Sequence, residues 1–415
     1  MSVGEWKRLE AVERIGRFEM TVRRAGELLG LSERQVRRVR RAVESRGAKG
    51  VVHGHRGRWP WNRVSEPERE QIVALRRGKY AGFNDHHFTE KLVEAEGLKV
   101  SRATVRRVLR AAGIEAVRRR RPTRHRRRRE RRAREGEMII WDGSPHDWLE
   151  ERGPRLCLQG AIDDASGKLL EGAHFEEQEC SAGYLRVLKG IVGGHGVPWS
   201  AYMDQHSSLK RNDDYWSLEE ELSGEREPTQ VGRALAALGV EVIYALSPQA
   251  KGRVERLWGT LQDRLVSELR LAGASSLAQA NAVLEQFRQD FNQRFAVAAA
   301  DERPAWRKLK RGLELERVCS FYYAATVLND NTVRVGGRVI DIPPGPRGRG
   351  YAHARVEVRQ LLDGSWRVYY QERLIASAPA SELGELRALK RHKPSAAHYV
   401  LAEPSTPALR PEQSL

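Results

Sequence analysis

Apolar residues change their spacing several times along the chain, and each change marks an element. From Met20 to Gly30 they follow the interval of a short amphipathic helix that ends at the glycine. Ser32 then offers an N-cap for a second helix. On it Val36, Val39 and Val43 share one face, and Arg34, Arg37, Arg38 and Arg41 take the rest. A similar pattern recurs over residues 66–114. Leu92 and Val93 sit on one helix, Gly97 breaks it, and Ser101 caps the next. There Val105, Val108 and Leu109 point inward, Arg102, Arg106, Arg107 and Arg110 point outward, and Gly113 ends the helix. An inner apolar stripe with an arginine-rich outer face is what entry into a DNA major groove requires, so both stretches read as helix-turn-helix units.

Beyond Glu137 the helical period gives way to short continuous apolar runs, the mark of buried strands. Met138 to Asp142, Arg155 to Asp163 and Lys168 to Phe175 read as three strands, the last two joined by the turn Asp164 to Gly167. A helix at about 181–192 follows, then a strand from Trp199 to Asp204 and a polar, acidic stretch over 205–228. A helix at about 229–238, a strand from Val240 to Tyr244 and a long helix from Ser247 complete the series. The order is three strands, helix, strand, helix, strand, helix. It is that of an RNase H-like fold, in which an antiparallel meander feeds parallel strands of a mixed sheet. Residues 276–313 read as helices. Residues 318–378 read as short strands with hairpin turns at Gly336-Gly337 and Asp363-Gly364, forming a small β-barrel. Arg347 and Arg349 lie in a Pro/Gly-rich loop and either touch DNA or belong to a purely structural barrel.

The expected organisation is multidomain α/β. It comprises a helix-turn-helix (1–50), a second one (65–115), an arginine-rich linker (116–136), an RNase H-like mixed-sheet core (137–275), a helical linker (276–315), a small β-barrel (316–380) and a disordered tail (381–415). Composition adds a partner. Net charge is +18, and residues 1–137 hold 38 Lys+Arg against 18 Asp+Glu (+20), leaving 35 against 37 (−2) for the remainder. An excess confined to one third of the chain favours a polyanion through counterion release. Residues 118–134 hold 12 arginines, among them Arg126, Arg127 and Arg128. Such a run cannot pack; it is either a solvated linker or a strap that follows phosphates. Arg56, Gly57 and Arg58 form either a minor-groove arm or a plain linker. No run of 18 apolar residues occurs, so no membrane span is expected, and the first residues do not read as a signal peptide. Cys157, Cys180 and Cys319 are too widely spaced for a zinc site or disulfide framework, which fits a reducing cytoplasm.

Three carboxylates stand out by position. Asp142 ends the first strand, Asp204 ends the fourth, and Glu255 lies in the first turns of the last core helix. Taken singly, each reads equally as a surface acid or the partner of a nearby arginine. In a sheet where the first and fourth strands are neighbours, their ends lie together, and a helix crossing beside them adds the third acid. Oxygen ligands on rigid elements suit Mg²⁺, and a pair of ions about 4 Å apart suits phosphodiester chemistry. Asp163, Asp164, Asp213 and Asp214 are set aside as turn or insertion residues. In the helix bearing Glu255, Ser247 and Pro248 suit the cap and first position. Lys251 lies one turn before Glu255 and is placed to hold a DNA phosphate. Gly252 permits close approach of a backbone at about 1 kcal/mol of helix stability; Arg253 and Arg256 flank the acid, and Arg253 is, like Lys251, a candidate DNA contact.

At these residues the sequence resembles a known family. Asp142-Gly-Ser-Pro-His-Asp-Trp with Ile162-Asp-Asp-Ala-Ser-Gly, and Ser247-Pro-Gln-Ala-Lys-Gly-Arg-Val-Glu-Arg-Leu-Trp-Gly, are similar to the catalytic core of ISNCY-type insertion-sequence transposases. That group lies within the wider set that includes retroviral integrases and the Mu transposase. The resemblance spans about residues 20–320. It implies a DDE transposase with Asp142, Asp204 and Glu255 as metal ligands for two Mg²⁺ per site, with Mn²⁺ as a substitute. It also implies binding of transposon ends and target DNA, at least a dimer on DNA, and a bacterial, cytoplasmic, nucleoid-associated setting. His206 and His146 are auxiliary candidates, His146 being equally readable as structural. Relatives often carry Lys where Gln205 stands. Asp204 and Glu255 are separated by 50 residues (255 − 204 − 1), more than in many integrases, and the excess matches the acidic stretch. The zinc-binding His-His-Cys-Cys domain of retroviral integrases is absent. Two other classes remain open: a DNA-binding regulator with a relic core, and a serine or tyrosine recombinase acting through a covalent intermediate.

Overall fold

The computed structural model describes residues 1–54, 56–57, 63–117, 129–211, 216, 218–245 and 252–386. Of the residues named above, Arg58, Arg126, Arg127, Arg128, Asp213, Asp214, Ser247, Pro248, Lys251 and the end of the tail lie outside them. The chain divides into two compact units, Met1–Val73 and Ala74–Leu415.

In the first unit three helices surround a small core. They are α1 (Val3–Gly16), α2 (Val22–Leu29) and α3 (Glu33–Arg46). Ser2 and Ser32 each close a reciprocal cap with the residue three positions on, Glu5 and Gln35, which satisfies the orphaned amides at both helix starts. Gly26 lies where a Cβ would meet the Leu31 carbonyl oxygen at 2.6 Å, so the turn between α2 and α3 can close only on a glycine. Ala11, Ile15, Ala25 and Val36 form the core. Val36 is buried, whereas Val39 and Val43 are half-buried. α1 is absent from the sequence expectation because its apolar stripe is thin and diluted by charge.

The second unit begins within α4 (Glu66–Arg77) and continues through α5 (Asp85–Glu94) and α6 (Arg102–Ala111). Asn84 caps α5 and Ser101 caps α6. Leu92, Val105, Val108 and Leu109 are buried as their spacing requires, while Val93 is exposed.

A five-stranded mixed sheet follows. Its strands are β1 (Met138–His146), β2 (Leu156–Asp163), β3 (His174–Glu176), β4 (Ser200–Met203) and β5 (Glu241–Tyr244), in the order β3-β2-β1-β4-β5. β1 to β3 are antiparallel neighbours; β1, β4 and β5 run parallel. β3 is shorter than its apolar run suggests, because Leu169 makes only an isolated bridge to Ile162. On one face lie α7 (Ser181–Gly194) and α9 (Gln230–Ala237), with the short α8 (Leu218–Ser223) between them in sequence. They pack on Ile139 and Trp141. On the other face lie α10 (Gly252–Leu271) and α11 (Leu277–Phe295), against Met138 and Ile140. Alternate residues of β1 thus face opposite layers, and the strand is apolar on both sides. Among the described residues no helix is long and apolar enough to cross a membrane.

α5 is fastened to α10 by charge. His87 and Lys91 reach Glu268 at 2.6 and 2.8 Å, Glu90 reaches Arg264 at 2.6 Å, and Asn84 donates to Asp263 at 2.6 Å.

Residues 296–314, expected to be helical, contain no helix. Their backbone bonds go elsewhere: Asp301 to Ala133, Ala305 to Glu135, and Arg307 to Val197 in both directions. After α12 (Leu315–Val318) come β6 (Phe321–Thr326), β7 (Thr332–Val335), β8 (Arg338–Asp341), β9 (Arg355–Gln360), β10 (Trp366–Tyr370) and β11 (Arg373–Ala378). They form a four-stranded antiparallel sheet, β11-β10-β9-β6, and a separate hairpin, β7-β8. The expected barrel is not closed among the described residues, since β7 and β8 pair only with each other. The hairpin packs on the sheet through a shared apolar core that includes Val333, Ile340, Val358 and Trp366. Both expected turns form, with Gly336, Gly337 and Gly364 at positive φ.

His174 on β3 sets a pH response. Burial, and secondarily the Arg186 guanidinium, push its imidazole down to about 4. The unfolded chain therefore takes up this proton more readily than the folded one. The contribution of neutral His174 is complete above pH ~6.5 and is lost as pH falls toward 4. Urea midpoints measured across that window should fall by the equivalent of at most about 3 kcal/mol through this residue. A His174→Gln variant should show a shallower fall; an identical profile would refute the assignment.

Candidate active site

β1 and β4 are in parallel register from Met138 opposite Ser200 to Ile140 opposite Tyr202. Two residues further on, alternation returns the side chains to the same face. Asp142 and Asp204 therefore stand at matching positions where the strands part. β4 stops at Met203, whereas β1 runs on beside β2 to His146; the sequence reading ends it at Asp142. Asp204 folds the following turn onto itself, its Oδ1 accepting from the His206 amide at 2.9 Å.

Asp142 faces α10. Its Oδ2 accepts from Trp258 Nε1 at 3.0 Å, and one turn further along the helix Gln262 Nε2 donates to Ser144 Oγ at 3.3 Å. Val254, Leu257, Trp258 and Leu261 are buried beneath the helix. This seats Glu255, one turn before Trp258, on the exposed side of the helix start. The register brings Asp142 and Asp204 together; Glu255 is not grouped with them. Among the described residues no three His, Cys, Asp or Glu side chains form a metal-holding group.

The acid that does neighbour the aspartates is Glu179, which lies just before α7. Its Oε1 accepts from the Tyr184 hydroxyl at 2.6 Å and lies 3.3 Å from His206 Nδ1. Burial raises its carboxyl; Tyr184 and His206 oppose that, while the Asp204 and Asp142 carboxylates push it further up. Tyr184 is fully buried, and its phenol is pushed well above the ordinary value by burial and by Glu179. Gly143 lies close beside this acid: a Cβ there would lie 2.7 Å from its carboxyl carbon, so the Glu179 side chain would have to shift. Sequence pattern passes over Glu179 because it closes an acidic run, Glu176-Glu177-Gln178-Glu179, rather than a strand. Half-buried carboxylate oxygens crowded with negative charge are donors of the type that a hard divalent cation takes.

The remaining candidates separate clearly. Arg34, Arg37, Arg38, Arg41, Arg102, Arg106 and Arg107 are exposed. Arg110 is instead held by Asp85 at 2.5 Å and by the Ile114 carbonyl at 2.7 Å. The Arg253 guanidinium binds Asp164 and the Arg129 carbonyl. His146 packs edge-on against Trp148, with ring centroids 5.3 Å apart.

The architecture thus joins a helix-turn-helix unit to a mixed α/β sheet bearing paired aspartates, followed by antiparallel sheets. A family described as winged helix-turn helix matches residues 8–70. A putative transposase of Sinorhizobium fredii (strain NBRC 101917 / NGR234), y4bF, is 35% identical over 376 residues, covering 86% of this chain and 79% of that protein. The transposase for insertion sequence IS1202 of Streptococcus pneumoniae is 32% identical over 330 residues, covering 71% and 69%. The chain belongs to the insertion-sequence transposases. A solved structure of a simian T-cell lymphotropic virus intasome in complex with PP2A regulatory subunit B56 gamma overlaps 74% of this chain and 99% of that one. It does so at 12% identity and a TM-score of 0.29, a level that decides nothing about fold or function.

Proposed function

We propose that this transposase is a DDE polynucleotidyl transferase with an RNase H-like core, which cleaves DNA at the ends of its element and joins them to target DNA. The observation that carries this reading is the matched placement of Asp142 and Asp204 on the face where Trp258 ties α10, the Glu255 helix, to Asp142. Asp142, Asp204 and Glu255 would hold two Mg²⁺ ions, with Mn²⁺ as a substitute. When bound, the ions supply activation of the attacking oxygen and stabilisation of the leaving one. The protein's part is to keep the two aspartates rigid where β1 and β4 part and to hold His206 between Asp204 and Glu179. It also presents exposed arginines on α3 and α6 to the DNA of the inverted repeats. Two ends must meet one target, so at least a dimer assembles on DNA, in a bacterial cytoplasm at the nucleoid.

No covalent protein–DNA bond is needed. Tyr184, next to the acidic group, is fully buried and its phenol resists ionisation, which argues against Tyr184 as a covalent nucleophile. A strand-transfer assay of Asp204→Asn tests the proposal: loss of transfer with DNA binding retained supports it, and unchanged transfer ends it. Binding without transfer in the unaltered chain would point instead to a regulator with a relic core.

A further inference from the structure

Asp164 belongs to the turn after β2, where an acid is ordinarily a solvated turn residue. Here it is fully buried. Its amide bonds to the Met138 carbonyl at 3.0 Å, which fixes it against the start of β1. Beside it Asp163 locks the turn, accepting from the Ser166 amide and hydroxyl at 2.8 and 2.9 Å and from the Gly136 amide at 2.9 Å. The Asp164 carboxylate then gathers two separate parts of the chain. From the end of the arginine tract come Arg129 Nη2 at 2.5 Å, Arg129 Nη1 at 3.3 Å and the Arg132 amide at 2.8 Å. From the first turn of α10 comes Arg253, which also reaches the Arg129 carbonyl. Arg131 adds bonds to the Asp164 and Ala165 carbonyls at 3.0 and 3.1 Å. Burial pushes the Asp164 carboxyl up, and Arg129, the Arg132 amide and Arg253 bring it below its ordinary value.

Arg253 is two residues from Glu255. The start of α10 is otherwise held by Val254 in the core and by Trp258 on Asp142. The arginine tract and the Glu255 turn thus share one buried anion. We infer that Asp164 is a positioning residue for the carboxylate site. It fixes the turn bearing Glu255 and registers DNA lying along the arginine tract on that site. The inference rests on the proposed role of Asp142, Asp204 and Glu255. Exchanging a fully buried acid for a neutral residue leaves its two guanidiniums without their counter-charge and weakens both contacts. A group that orients a metal ligand from outside the ligand set typically changes metal affinity or activity about 10–100-fold when removed.

The test uses the full chain and two variants, Asp164→Asn and Arg253→Gln, each checked by circular dichroism. Terbium is titrated into each, and its luminescence is read through tryptophan excitation, Trp258 being bonded to Asp142. Cleavage of an element-end duplex is followed against Mg²⁺ concentration, and duplex affinity by fluorescence anisotropy. Folded variants should need about tenfold more terbium and Mg²⁺ for half-saturation, with duplex affinity changed far less. Arg253→Lys should recover part of the shift. If Asp164→Asn does not fold, Arg253→Gln alone decides. A folded variant with unaltered metal midpoints, in a protein whose Asp204→Asn form is inactive, overturns the inference and leaves the carboxylate site standing. An active Asp204→Asn form overturns both.

Discussion

Exchanging Glu255 for Gln, or Asp142 for Asn, is expected to reduce DNA cleavage by about 10³-fold or more, because the ions that would meet the developing charge lose a ligand. Affinity for element-end DNA should hardly change. Both exchanges keep shape and remove charge. Glu255 is exposed, so Gln should alter stability by no more than about 0.5 kcal/mol. At position 142 an amide oxygen still accepts from Trp258 Nε1, which preserves the seat of α10. Loss of activity in these variants therefore reports lost charge rather than lost structure. The measurement is cleavage of a labelled duplex in Mg²⁺ and Mn²⁺, with anisotropy for binding. Glu179→Gln belongs in the same series, because Glu179 is the acid that feels both aspartates. Cleavage retained in Glu255→Gln but lost in Glu179→Gln would transfer the third position to Glu179.

Much of this fold is legible in the sequence, for identifiable reasons. Ser32 and Ser101 announce helix starts because a hydroxyl at that position satisfies amides that nothing else can reach. The strand order follows from apolar runs too short for helices. The pairing of Asp142 with Asp204 follows from two neighbouring strands in parallel register, although β1 runs on past Asp142. What pattern does not reveal is partnership across long sequence distances. Asp164 reads as a turn acid until residues 129–132 and Arg253 close over it. Arg110 and Arg253 read as DNA-facing because arginine on a helix surface has the same signature whether it meets phosphate or protein carboxylate. Residues 296–314 have helix-forming composition, but their amides and carbonyls find partners at 133–135 and at Val197 instead. Glu179 has no local signal at all; only the packing of α7 brings it to the aspartates.

The difference between an exposed and a committed arginine leads to the second large expected effect. Replacing Arg34, Arg37, Arg38 and Arg41 on α3 together by Ala should weaken DNA binding by at least about 10²-fold at physiological salt. It should also flatten the dependence of log affinity on log salt by about 0.9 for each phosphate no longer neutralised. Arg37 already spends part of its charge on Glu33, at 3.0 Å, so its share of the slope should be the smallest of the four. Arg110→Ala should behave in the opposite way. Its guanidinium spans Asp85 and the Ile114 carbonyl, so removing it takes the hydrogen-bonded partner from a half-buried carboxylate and costs about 1–3 kcal/mol of stability, with the salt slope intact. Anisotropy titrations between 50 and about 200 mM salt, the range over which phosphate neutralisation shows itself, read the slopes, and thermal unfolding reads the stability. An unchanged slope in the fourfold variant would remove α3 from the DNA interface. A reduced slope in Arg110→Ala would show that this arginine exchanges Asp85 for phosphate when DNA binds.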